Sequence, residues 1–326
     1  MKLTTQQISS IARGAVRVYE NDGKTVLRRF TEEQEELYRK RNPEAHAKCF
    51  ATSGITLEFA TDSRYLTLEV EVGFGSSRRY FEHSIFVNGE KYAALGCKKR
   101  GEGIFGGKWT LPEGDKQIKI YFPWSVSSKI TELSLDTGAS LTPIKKEKKM
   151  IMFGDSITHG YDASYPERSY ASRLADAIGA EAVNKGIGGE IFFPALAAAR
   201  DPFEPDYVTV AYGTNDWSKN DKKLFESNCK GFFENLSRNY PNAKILAITP
   251  IWRKRYGETN TMGTLDSVED YIREVASSLP NVTVIRGINL VPHDPKNFSP
   301  DVIHPNDQGF EHYANNLFEE IKKYIN

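Results

Sequence analysis

Between about residues 50 and 136 the apolar positions recur every second residue. Leu66, Leu68, Val70 and Val72 alternate with Thr67, Glu69 and Glu71, and Ile118, Ile120 and Phe122 repeat the pattern. That period puts one face of each segment in a core and the other in water, so it predicts half-buried strands. Asn88-Gly89 lies between two such runs, Ser84-Ile85-Phe86-Val87 and Lys91-Tyr92-Ala93, and predicts a tight hairpin. The first half therefore reads as an antiparallel β domain. One segment departs from it: Thr31 and Gln34 have capping-box spacing ahead of a charged stretch, which predicts a short helix over 31–42.

Past Pro143 the pattern changes. Residues 145–149 are a charge run, Lys-Lys-Glu-Lys-Lys, with no apolar period. It reads as an exposed linker and places a domain boundary near residue 146, giving domains 1–145 and 146–326. Short apolar strands are then expected at 150–153, 182–184, 207–210, 244–249 and 282–285, with helices at 169–178, 222–239 and 265–279. In the last segment Phe310, Tyr313, Ala314, Leu317, Phe318 and Ile321 share one helical face. Strands alternating with helices predict an α/β domain, a parallel sheet covered on both sides, whose ligands bind beyond the carboxyl ends of the strands.

Composition narrows the function. At 326 residues the chain has room for about two self-sufficient cores. Its 43 Lys+Arg balance 43 Asp+Glu, and the basic clusters, residues 98–100 and 145–149, are short, so nucleic acid is not an expected partner. The longest weakly polar run, 191–199, covers half of the roughly 20 residues a bilayer requires, and no membrane partner is expected. The first residues lack an apolar signal core, and the odd set Cys49, Cys97 and Cys229 lacks CxxC spacing. Reduced thiols in a cytoplasmic protein are the expectation. Nothing in the sequence sets the oligomeric state.

The loops after the strands hold the candidate chemistry. The first strand runs into Gly154-Asp155-Ser156-Ile157-Thr158-His159-Gly160, where Ser156 is either a nucleophile or a helix cap; as a nucleophile it requires a base elsewhere. The second ends in Asn184-Lys185-Gly186-Ile187-Gly188-Gly189, a turn able to present backbone N–H groups but lacking the GxGxxG of a dinucleotide loop. The third ends in Gly213-Thr214-Asn215-Asp216-Trp217; Asn215 can donate to a developing oxyanion, and Asp216 reads as a loop brace. Before the last helix comes Asp301-Val302-Ile303-His304. One turn there puts a carboxylate beside an imidazole and leaves the other ring nitrogen for a serine.

These four blocks, in this order, resemble the SGNH/GDSL hydrolases over roughly residue 149 to the C-terminus. The resemblance implies Ser156 as nucleophile, His304 as base and Asp301 as its partner, with an oxyanion hole from the Ser156 and Gly189 N–H groups and the Asn215 amide. It also implies a flavodoxin-like three-layer fold with a five-stranded sheet of order 2-1-3-4-5, and no cofactor or metal. His159 follows the first block without an assigned role, as a rim or structural residue. A β-sandwich, jelly-roll-like, ahead of such a domain is similar in layout to family 2 carbohydrate esterases.

Trp217 and Trp252 are expected at the rim of the same loops, as sugar-stacking faces or as packing; Trp109 and Trp124 are expected in the core. The reading is a serine esterase removing short acyl groups, acetyl foremost, from a small-molecule or oligosaccharide ester. The alternatives are a lysophospholipase or thioesterase with the same residues, and an inactive carbohydrate-binding protein.

Overall fold

The computed structural model describes residues 1–99 and 101–325; Arg100, one member of the 98–100 basic cluster, lies outside them. Two antiparallel sheets form the first half. One runs Ala12–Arg13, Thr56–Thr61, Lys116–Tyr121, Phe81–Val87, Glu90–Cys97 across the sheet, with Thr142–Pro143 also paired to Thr56–Thr61. The other runs Arg17–Asn21, Lys24–Arg28, Val126–Ser134, Tyr65–Phe74, Gly103–Thr110. Leu57, Phe59, Ile118 and Ile120 of the first meet Leu66, Leu68, Val70 and Val72 of the second in a single core, which makes the unit a sandwich. The period-two pattern is the cause: Leu66, Leu68, Val70 and Val72 are buried, while Glu71, on the opposite face, reaches Lys24 and Lys129. Asn88 and Gly89 both take positive φ, 51° and 86°, at the predicted hairpin.

The second half holds a five-stranded parallel sheet: Lys148–Gly154, Ala180–Asn184, Tyr207–Ala211, Lys244–Ile248 and Val282–Ile285. Numbered in chain order, the strands lie 2-1-3-4-5. Alternate residues feed opposite faces. Ile151, Phe153, Val208, Val210, Ile245 and Ala247 join the helices Lys222–Asn239 and Leu265–Ser277 in one core, whereas Met150, Met152, Leu246 and Ile248 join Tyr170–Ile178 and Asp307–Ile321 in another. The strands are apolar throughout because both faces are covered.

The predicted N-terminal helix is Glu32–Arg41, capped by Thr31 with the reciprocal Gln34 bond, and a second, Pro43–Lys48, follows. These helices leave the sandwich and join the parallel-sheet half: Phe30, Tyr38, Ala45 and Cys49 lie in the core with Ile151 and Phe153. Cys49, Cys97 and Cys229 are free thiols. Among the described residues no helix is long and apolar enough to cross a membrane.

Candidate active site

At the carboxyl end of the first strand, Asp155 caps a one-turn helix, Ser156–His159, accepting from the Ile157 N–H at 2.9 Å. The turn lifts Ser156 to the sheet's rim. From the loop before the last helix, His304 Nε2 lies 2.7 Å from Ser156 Oγ, and its Nδ1 lies 2.6 Å from Asp301 Oδ2. Asp301 Oδ1 accepts from the Ile303 and His304 N–H groups at 2.8 and 3.1 Å. Burial alone would raise the Asp301 carboxyl; the bonds from the His304 ring and the two N–H groups outweigh it and hold it well below the usual carboxylate range. The structure thus joins Ser156, His304 and Asp301 across 148 positions of sequence. Tyr161 stacks on the His304 ring at 5.6 Å, which fixes its plane.

Gly189 and Asn215 line the same cavity of about 350 Å³ as Ser156 and His304. Asn215 gives one amide N–H to the Glu190 carbonyl at 2.9 Å; the amide carries a second N–H. The glycine loop is held from both sides. Gly188 N–H donates to His159 Nδ1 at 3.3 Å, and Lys48 Nζ donates to the Gly188 carbonyl at 2.9 Å. In a trans peptide the C=O and the next N–H point opposite ways, so the Lys48 bond turns the Gly189 N–H away from Lys48. Gly189 itself takes φ 84°, the left-handed region that favours glycine. At Gly188 the cause is crowding: a Cβ would sit 2.4 Å from the Tyr161 hydroxyl.

His159 has a defined role in this arrangement. It is fully buried, and burial pushes its ring well below its ordinary pKa, so it is neutral. Nε2 donates to the Trp124 carbonyl at 2.9 Å, which leaves Nδ1 as the acceptor for Gly188. The ring is a strut between the sandwich and the glycine loop. Trp124 is buried there, its indole N–H on the Ala163 carbonyl at 3.1 Å, and Trp109 packs against the sandwich core.

Of the two readings open for Trp217 and Trp252, the structure gives packing. Trp217 is 2% exposed, packed in the core with its indole N–H on the Gly263 carbonyl at 3.0 Å. It follows Asn215 by two positions on the Thr214–Lys219 helix, about 200° around the axis, so it points away from the cavity that Asn215 faces; Ser218, three positions on, lines the cavity. Trp252 packs on His293 and Phe298, and its neighbour Arg253 lines the cavity instead.

Several lining residues carried no sequence signal. Lys48, Ser77 and Arg78 come from the first half, and Tyr161 and Arg253 from the second. Arg78 grips Asp162 with two bonds, 2.7 and 3.1 Å, and Asp162 lies 3.7 Å from His304 Nδ1. Asp162, Asp301 and His304 bring ligand-type atoms within 4.8 Å of one another, but Arg78 and His304 already engage the two carboxylates. Deeper, Arg29 reaches the Asn184 and Gly186 carbonyls at 2.6 and 3.1 Å, and Lys185 pairs with Asp201 at 2.6 Å with both side chains fully buried. Burial lowers Arg29 to about 10 and also lowers Lys185, against the opposing pull of Asp201.

Known proteins share both halves of this architecture. Residues 152–312 match the GDSL-like Lipase/Acylhydrolase family. No curated protein sequence matches the chain. Among solved structures, the salicylyl-acyltransferase SsfX3 from a tetracycline biosynthetic pathway is similar over 96% of this chain and 94% of its own, at 23% identity and TM-score 0.82. A family two carbohydrate esterase from Cellvibrio japonicus is similar over 100% and 98%, at 16% identity and TM-score 0.71. Another from Clostridium thermocellum, in complex with cellohexaose, is similar over 84% and 93%, at 20% identity and TM-score 0.66. These likenesses establish a shared two-part fold, and residues 152–312 form a domain of the GDSL-like lipase/acylhydrolase family.

Proposed function

We propose that the protein is a serine esterase that removes short acyl groups, acetyl foremost, from a carbohydrate hydroxyl. The observation that carries this is the continuous hydrogen-bonded line from Ser156 through His304 to Asp301 at an open cavity. Ser156 Oγ bonds to the ester carbonyl carbon as His304 Nε2 takes its proton. Asp301 holds the ring's other N–H and stabilises the imidazolium. The carbonyl oxygen becomes an oxyanion received by the Ser156 and Gly189 N–H groups and the Asn215 amide. Its collapse breaks the bond to the sugar oxygen, which leaves with the proton from His304. Water, deprotonated by His304, then releases the acid and restores Ser156.

The cavity favours a small acyl group. Beside its polar side chains the lining holds only Gly188, Gly189, Ile303 and the Tyr161 ring, with no run of aliphatic side chains for a long acyl chain, and Phe192 and Phe193 pack in or against the core. The carbohydrate reading is supported by the esterases of similar fold, one of them bound to cellohexaose. Rates on the acetate, octanoate and palmitate esters of p-nitrophenol test it. Acetate preference is expected; a rise with chain length would favour a lipase, and no turnover would favour a binding protein. Because one structure of similar fold is an acyltransferase, the acetate assay repeated with a sugar acceptor measures transfer against hydrolysis.

A further inference from the structure

Three cations line the cavity, Lys48, Arg78 and Arg253, against one carboxylate, Asp301. Two have acidic partners: Lys48 pairs with Glu44 at 2.6 Å and Arg78 with Asp162 at 2.7 Å. Asp301 is engaged by His304. Arg253 differs. It is 6% exposed, yet among the described residues no carboxylate lies within 4 Å of it; Nη1 and Nε bond only neutral oxygens, those of Thr214, Ser218 and Lys254, at 3.1–3.3 Å. Nη2 has no protein partner among the described residues. Asp155 and Asp301 act on the guanidinium only at longer range, and both are occupied, by the Ile157 N–H and by His304.

A buried guanidinium without a counter-charge is costly unless an anion completes it. It presents parallel N–H donors suited to carboxylate or phosphate oxygens. Thr214 and Ser218 hold it on the helix that carries Asn215, so it sits beside the ester-binding end of the cavity.

We propose that Arg253 selects substrates that carry an anionic group, a carboxylate or a phosphate, on the sugar being deacylated. The assignment rests on the esterase reading above, in which the acyl part is too small to hold the charge. An acidic sugar then satisfies Arg253 as the ester reaches Ser156, and a neutral sugar leaves it unpaired.

The test compares kcat/KM on matched O-acetyl esters of methyl glucoside, glucuronate and glucose 6-phosphate, for the wild type and Arg253→Met. The wild type should favour at least one acidic sugar about tenfold or more, with the uronate and phosphate arms identifying the anion, and Arg253→Met should bring that ratio close to one. Equal wild-type rates on all three would overturn the proposal while leaving the esterase reading standing. An equal loss on neutral and acidic sugars in the variant, which a merely structural role would give, would also overturn it, as would a preference that survives the substitution. Should the variant fail to fold, inhibition of the wild type decides: glucuronate or glucose 6-phosphate should inhibit p-nitrophenyl acetate hydrolysis at concentrations at least tenfold below glucose, and parity would reject the idea. Wild-type turnover of neither the sugar esters nor p-nitrophenyl acetate would instead remove the esterase reading, and this proposal with it.

Discussion

The base loop and the glycine loop face each other across Ser156, and they are built in opposite ways. His304 is oriented by Asp301, three positions away, whose other oxygen accepts the His304 N–H. The glycine loop is secured from a distance: Lys48 lies 140 positions from Gly188 and Arg29 lies 157 from Gly186. A proton acceptor needs one ring set at one angle, which a single turn can do. An N–H pointed at a future oxyanion needs its whole peptide held against rotation, and the first half of the chain supplies those contacts.

Breaking the local device should have the largest effect. His304→Ala should lower kcat/KM for p-nitrophenyl acetate by about 10²–10⁴-fold, the usual range for a positioned general base, and Asp301→Asn by less if it only orients the ring. Native-like circular dichroism in both variants would assign the loss to chemistry.

The distant device should respond first in stability. Lys185→Met leaves Asp201 charged and fully buried, which should cost about 3–5 kcal/mol in urea unfolding. The double variant Lys185→Met/Asp201→Leu should recover much of that, and a full loss in the double variant would argue against a charge effect. Lys48→Met should act on rate. With the Gly188 carbonyl released, kcat should fall by about 10–100-fold, less than the 10²–10³ expected for loss of an oxyanion donor itself, with KM little changed. Partial rescue by Lys48→Arg would sharpen the assignment to that hydrogen bond.

The smallest effect is a pH dependence. Burial pushes Asp216 up to about 7, against the N–H bonds it accepts from Phe192 and Gly213. Its carboxyl thus ties the glycine loop's continuation to the Asn215 loop. A raised folded-state value means the folded protein keeps a proton that the unfolded chain releases near pH 4. The Asp216 contribution is therefore full below that pH and lost as pH rises through 7. Asp155, raised by burial to about 6, works in the same direction. Unfolding free energies measured at pH 5 and pH 8.5 should fall less steeply in Asp216→Asn than in the wild type; equal slopes would count against the shift.

The same contrast explains what could be read in the sequence. The strand at 282–285 is legible as a short apolar run, the helix at 222–239 as the stretch between two such runs, and the Thr31 cap by its local spacing. Ser156, Asp301 and His304 stood out because each sits in a compact block at a strand end. Trp217 was misplaced because an aromatic in a loop motif does not reveal which side of a short helix it occupies. Lys48, Arg78 and Arg29 are invisible because the groups through which they act on the site, the Gly188, Asn184 and Gly186 carbonyls and the Asp162 carboxylate, lie far along the chain, and a backbone carbonyl leaves no mark in sequence.

The central claim, that Ser156 is the nucleophile activated by His304, is tested most directly by reaction with a fluorophosphonate followed by peptide mass spectrometry. A single adduct on Ser156, absent in Ser156→Ala and strongly slowed in His304→Ala, is the result expected. An enzyme that hydrolyses p-nitrophenyl acetate yet carries its adduct on another residue would contradict it.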